Sequence, residues 1–188
     1  MPFPIQAVLE AMQIALPDDN EQTDSVHDYF HRISGTLKNK VITLTASAAT
    51  QSLNCFQLTG SIEIFKLYGV ITTATTLTNC TAAYFNLYDS TDVVALTKND
   101  GVLSGMAVGT LFVKNASAGT TMAVANNVAG ALTEPASNKS FYPFIITQKT
   151  VADTYIRFTY TTSDTPIAAT LTIYCEYSPI GDGTLTEV

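Results

Sequence analysis

The chain has 188 residues, of which 46% are hydrophobic and only 13% are charged, about half the charged fraction of an average soluble domain. A chain of this length can bury one sizeable core, and this one is too apolar to remain disordered. The formal net charge is -7, which disfavours binding to the phosphates of nucleic acids and to anionic membranes. The composition therefore predicts a folded domain that binds neither nucleic acid nor membrane.

The N-terminus does not resemble an export signal. It lacks the positive charge that begins a signal peptide, because the first basic residue is Arg32, and Glu10 interrupts its apolar run. No stretch has the roughly 20 consecutive apolar residues that a membrane-spanning helix needs. We therefore expect a protein that is made in the cytoplasm without a signal peptide.

Residues 1–35 are predicted to form a short helical arm. Pro4 suits the first position of a helix, and Gly35 suits the end of a second one. Residues 1–31 contain six acidic residues and no Lys or Arg, a net charge of -6. This segment is either a solvated pair of acidic helices or an arm that docks on a basic surface of another copy or another protein. The arm residues expected to bind a partner are Ile5, Val8, Leu9, Met12, Tyr29 and Phe30.

From Thr36 onward the hydrophobic pattern has the two-residue period of β-strands. Residue types that fit a pleated, half-buried surface dominate, and turn-forming sequences separate the strands. The last two strands are expected to pair as a hairpin, and Gly119–Ser140 to be a long loop or weak strands. The predicted strands are Lys40–Ala46, Asn54–Thr59, Ser61–Thr73, Ala82–Tyr88, Val93–Lys98, Leu111–Lys114, Phe141–Lys149, Thr154–Thr162 and Ala168–Tyr177. We predict an all-β body over residues 36–188, an antiparallel β-sandwich of jelly-roll type, preceded by the helical arm.

Few side chains in the sequence are candidates for catalysis or metal binding. His27 and His31 have a spacing that metals can use, but there is no third histidine to complete a zinc site. Glu63 and Glu176 are a conceivable pair of catalytic carboxylates, although we favour a solvent-facing position for both. No nucleophile elbow, phosphate-binding loop or dinucleotide fingerprint occurs. We expect no enzymatic activity, no cofactor and no metal.

The three cysteines are expected to be reduced. They show no CxxC spacing, and an odd number of cysteines does not make a disulfide framework. Cys175 alternates with apolar residues in a predicted strand, so it is expected to lie in the core together with Cys55 and Cys80.

Three stretches of the chain carry a family resemblance. They are residues 62–74 (IEIFKLYGVITTA), residues 83–88 (AYFNLY) and residues 172–183 (TIYCEYSPIGDG). Together they resemble small β-rich virion proteins of tailed bacteriophages, which are commonly encoded near the major capsid protein. The resemblance extends over residues 55–188 and brings no catalytic residues with it, and the helical arm has no counterpart.

The resemblance implies a capsid decoration or cement protein that stabilises the phage head through contacts bridging capsid subunits. The implied partners are the major capsid protein and copies of the chain itself, in a homo-oligomer for which cement proteins suggest a trimer, and the implied location is the virion. A composition low in charge suits a protein that works by contact. The alternatives are a tail or fibre component, or an adhesin whose exposed tyrosines bind glycans, with a hydrolase third.

Overall fold

A single antiparallel sheet of nine strands contains all the secondary structure named below. The computed structural model describes residues 35–45, 49–73, 80–125, 143–149, 152–162 and 169–188, which all lie in the unit Gly35–Val188. The strands are β1 (Thr36–Leu44), β2 (Thr50–Thr73), β3 (Thr81–Tyr88), β4 (Val93–Ala95), β5 (Leu111–Val113), β6 (Ala123–Ala125), β7 (Phe144–Thr147), β8 (Thr154–Thr161) and β9 (Ala169–Glu187). The predicted all-β, antiparallel class is confirmed. The predicted arm, apart from Gly35, lies outside the described residues.

Two long strands, β2 and β9, organise the sheet. β9 pairs along one edge of β2 from Phe56 to Thr73, and β1 pairs with the first part of β9. The other edge of β2 is lined in succession by β8, β7 and β5. From there β8 continues the sheet to β3 and β4, and β5 continues it to β6. β1 and β4 are therefore the terminal strands of the path β1-β9-β2-β8-β3-β4.

The sheet bends back on itself along β2. Phe158 lies beside β2 at Leu53, and Phe112 lies beside it at Gly69. On a flat sheet these positions would be about 50 Å apart, since a strand rises by about 3.3 Å per residue, yet the two phenylalanine rings are 5.4 Å apart. Between Leu53 and Gly69, three register shifts interrupt β2, at Asn54/Phe56, Thr59/Ser61 and Ile64/Lys66. Because bulges bend a strand, they allow the inner sides of the sheet to meet.

The inner sides of the sheet form one hydrophobic core. Phe85 contacts Phe112 and Phe158, with ring centroids 6.0 and 5.4 Å apart, and the hydroxyl of Tyr160 accepts a 3.0 Å hydrogen bond from the backbone N–H of Thr45. The other large side chains that are fully buried include Phe56, Leu44, Leu58, Ile62, Ile64, Leu67, Ile71 and Leu103. Burying an aliphatic or aromatic side chain of this size stabilises the fold by about 2 kcal/mol.

The Pro-Ile-Gly-Asp-Gly sequence in β9 allows that strand to lie against the bend of β2. Gly181 has a φ of 61°, a backbone conformation that residues other than glycine rarely adopt. Gly183 approaches β2 so closely that a Cβ there would be 1.6 Å from the carbonyl oxygen of Ser61. The motif that contributed to the family resemblance is therefore explained by backbone packing.

Two predictions about connectivity are wrong. The last two strands do not form a hairpin, because β8 pairs with β2 and β3, β9 pairs with β1 and β2, and β2 lies between them. The predicted strands Asn54–Thr59 and Ser61–Thr73 are one continuous strand, since Gly60, with a φ of 66°, occupies a bulge and does not reverse the chain. Within Gly119–Ser140, a short strand forms at Ala123–Ala125.

Candidate interaction surface

The candidate site in the described residues is an apolar side of the sheet that faces away from the core. We call it the outer face, and it is formed by side chains of β1, β9, β2, β5 and β6. The histidines His27 and His31 lie outside the described residues. The same holds for the residues predicted to bind a partner, which are Ile5, Val8, Leu9, Met12, Tyr29 and Phe30.

Strand register places two rows of directly opposed residues on the outer face, and opposed residues share one side of a sheet. The first row is Asn39, Tyr174, Tyr68, Val113 and Ala123, and the second is Val41, Thr172, Val70, Leu111 and Ala125. All but Asn39 and Thr172 are apolar or aromatic. Each row crosses five strands, or about 20 Å. The side of an antiparallel sheet that faces away from the core is ordinarily polar, so this composition indicates a contact surface.

Two stacked tyrosines lie in the middle of the outer face. The rings of Tyr68 and Tyr174 are 4.8 Å apart, with an angle of 12° between their planes. Burial raises the pKa of the Tyr68 hydroxyl, and its neighbours Tyr174 and Glu176 raise it further while Lys66 lowers it. At the β1 end of the face, Leu37 and Val41 are 53% and 57% exposed. Aromatic residues beside exposed aliphatic ones are typical of the centre of a protein interface.

An ion pair borders the outer face. The ammonium nitrogen of Lys66 lies 2.7 Å from Oε2 of Glu176, and because both side chains reach solvent the pair stabilises the fold by no more than about 1 kcal/mol. Glu63, the other member of the conceivable carboxylate pair, lies opposite Ser178, two residues along β9 from Glu176. Both glutamates therefore lie on the side of the sheet that faces away from the core, and Glu176 is held by Lys66.

The edge of β1 is protected against pairing with another strand. Among the described strands β1 pairs only with β9, so no described strand covers its second backbone edge. Lys38 and Lys40 alternate with the outer-face residues of β1, and lysines on a terminal strand oppose the approach of a second strand that carries the same charges. The outer face is therefore a better candidate for a contact surface than the edge of β1.

All three cysteines are buried and none forms a disulfide, which confirms the expectation that they are reduced core residues. Burial raises the pKa of Cys55 and of Cys80 to about 12. Burial also raises the pKa of Cys175, and the nearby Glu176 adds to the effect. Because the thiolate is the reactive form of a cysteine, these side chains are unsuited to nucleophilic or redox chemistry in the folded protein.

We expect the three thiols to be unreactive in the folded protein. At about pH 8, Ellman's reagent should label the folded chain at least roughly tenfold more slowly than the chain unfolded in guanidinium, which should react at all three cysteines. Because folding raises the pKa of these thiols, their favourable contribution to stability is complete below pH 9.0 and declines between 9.0 and about 12. Fast labelling of any thiol in the folded protein would contradict its burial.

The outer face was not recognised from the sequence, although one signal of it was present. The segment Phe65–Ile71 is apolar at almost every position, a pattern typical of a strand covered on both sides. The segment alone does not show which strands lie beside it. β5 and β6 have three residues each, too few for a periodic pattern to identify.

In the part of the chain that the structure describes, no group of three or more His, Cys, Asp or Glu residues could hold a metal ion. Within the same residues no helix has the length and apolar character needed to cross a membrane. No family model matches the chain, and no curated protein or solved structure shows significant similarity to it.

Proposed function

We propose that this protein is a structural component of a bacteriophage virion, a capsid decoration or cement protein whose body is a β-sandwich of jelly-roll type. The observation that carries the proposal is the apolar outer face centred on Tyr68 and Tyr174, because the opposite side of the same strands already packs in the core. The virion context comes from the resemblance of residues 62–74, 83–88 and 172–183. The bend that brings Phe112 against Phe158 supports the sandwich.

In this proposal the outer face joins copies of the chain to one another. Interfaces between copies that remain together are more apolar than ordinary surfaces, which matches the two rows of the outer face. Such assemblies usually close with cyclic symmetry, and we propose three copies. The apolar residues of the arm bind the major capsid protein, namely Ile5, Val8, Leu9, Met12, Tyr29 and Phe30.

The mechanism is additive burial of apolar surface around the capsid. Each association removes apolar area from water and contributes about 25 cal/mol per Å², less the cost of immobilising the partners. A modest net gain per copy, repeated around a closed shell, lowers the free energy of the intact shell relative to a shell that has begun to open. No catalytic group takes part in this mechanism.

The proposal can be tested by measuring the chain in purified virions. The chain should be present in heads at a fixed copy number relative to the major capsid protein, measured by quantitative mass spectrometry of separated heads and tails. Heads that lack the chain should open several degrees lower in a thermal melt, and adding the purified protein should restore the wild-type temperature. Recovery of the chain only in tails would favour the tail or fibre alternative. Heads that open at an unchanged temperature without it would contradict a cement role.

A further inference from the structure

A second distinctive group of side chains lies on strands β8 and β3, away from the outer face. Arg157 of β8 is directly opposite Asn86 of β3 on one edge and Asn54 of β2 on the other. Tyr84 and Tyr88 flank Asn86 along β3, and Tyr155 lies opposite Tyr88. These six residues share the side of the sheet that faces away from the core, and we call them the Arg157 strip. Arg157 carries the only formal charge among them.

Among the described residues, no carboxylate forms an ion pair with the guanidinium of Arg157. It lies over the ring of Tyr88, with its Cζ atom 3.8 Å from the ring centroid, and its buried Nε–H has no hydrogen-bond partner among the described residues. Asp153 is engaged elsewhere, since it accepts hydrogen bonds from Gln57 and from the Tyr155 hydroxyl at 2.9 and 3.2 Å. A half-buried guanidinium of this kind favours a bound carboxylate, whose planar shape it matches.

Beside this donor lies an acceptor that also has no partner. Asn86 is 1% exposed, and its amide nitrogen donates a 2.8 Å hydrogen bond to Oγ1 of Thr159. Its carbonyl oxygen is buried and accepts no hydrogen bond from the described residues. An acceptor left without a donor in such a place costs about 1–3 kcal/mol, and because this oxygen is closed to solvent the ligand contacts of the strip come from its other residues.

We propose that the Arg157 strip binds an acidic saccharide. The carboxylate of the sugar pairs with the guanidinium of Arg157. The flat rings of Tyr84 and Tyr155 provide apolar surface against which the C–H side of a sugar ring can pack, and Asn54, which is exposed, adds a side-chain amide at the open side of the strip.

The tyrosines favour a sugar over an acidic peptide. A peptide rich in carboxylates would be matched by several cations, whereas the strip carries one, together with three aromatic rings and two amides. This site is independent of the proposed virion role, because apart from β2 it uses none of the strands that form the outer face.

The test is calorimetric titration of the full chain with trigalacturonic acid. Two further compounds are titrated for comparison. They are the methyl ester of the same trisaccharide, which has no free carboxylate, and triglutamate. We expect trigalacturonic acid to bind with a Kd of about 1 mM or tighter, and the other two probes to bind at least roughly tenfold more weakly. Absence of binding, or equal binding of the ester or of triglutamate, would overturn the proposal.

Variants of Arg157 identify the site. Arg157→Gln should weaken binding by roughly tenfold or more, and Arg157→Lys, which keeps the charge but loses the planar fork, should weaken it less. Lys66→Gln removes one positive charge from the border of the outer face and should leave binding unchanged. Thermal melting checks that each variant is folded. Wild-type affinity in a folded Arg157→Gln or Arg157→Lys variant would overturn the assignment.

Discussion

Replacing Gly183 with alanine should lower the free energy of unfolding by about 3 kcal/mol or more, and the melting temperature by roughly 6–12 °C. The added Cβ would be 1.6 Å from the carbonyl oxygen of Ser61, and this oxygen belongs to a strand that pairs on both of its edges. Because the backbone of β2 cannot move aside, the end of β9 must separate from it. That separation exposes Leu185, which is 1% exposed in the folded protein.

Gly119→Ala is the matched control for this substitution. A Cβ at Gly119 has no atom within 4 Å, so stability should change by no more than about 0.5 kcal/mol. Urea unfolding followed by circular dichroism gives both values, and hydrogen exchange should show selective loss of protection in residues 180–187 of the Gly183→Ala variant. Equal stability of the two variants would show that β9 does not lie against β2 as described.

If copies of the chain associate through the outer face as proposed, replacing Val41 with lysine should weaken that association by at least roughly tenfold, about 1.4 kcal/mol. Val41 is 57% exposed and lies in the second row of the outer face, opposite Thr172. A charge at this position would lose its hydration when two apolar faces meet, whereas in a single copy it remains in solvent. Sedimentation equilibrium of the purified protein and the copy number in heads measure the effect.

Val94→Lys is the control, because it makes the same chemical change at a similarly exposed site. Val94 is 60% exposed and lies on β4, at the opposite end of the strand path from β1. The Val94→Lys variant should associate like the unmodified chain. The melting temperatures of both variants should lie within a few degrees of that of the unmodified chain. If Val41→Lys associates normally, or if Val94→Lys is equally impaired, the outer face is not the surface that joins the copies.

The pattern of residue types along the chain was sufficient to predict the class of fold and the position of most strands. Strand β8 shows this best, because polar residues alternate with Ile156, Phe158 and Tyr160. The side chains of a strand alternate between its two sides, so this pattern predicts the end of β8 to within one residue. The burial of Cys55, Cys80 and Cys175 was likewise predicted from the sequence. These features depend on short segments, for which local preference and hydrophobic period are informative.

Strand pairing was decided by contacts between distant residues. Proximity in the sequence favoured a hairpin of β8 and β9, but β2 lies between them. β8 pairs along its whole length with β2 and on its other edge with β3, and β9 pairs with β2 and β1. The bulge at Gly60 cannot be told from a turn by residue type, since glycine with a positive φ suits both. Only the bend of β2 brings Phe112 to Phe158.

The low charge of the chain, 13% of residues, and its alternating apolar pattern by themselves determined that it folds as an antiparallel β protein with few groups for catalysis. The tertiary structure alone decided which side chains become neighbours. Strand register stacks the ring of Tyr68 against that of Tyr174 and places Arg157 beside Asn86, from segments that are about 70 to 110 residues apart. Both candidate surfaces depend on that register, which is selected by burial of the whole core and not by any local preference.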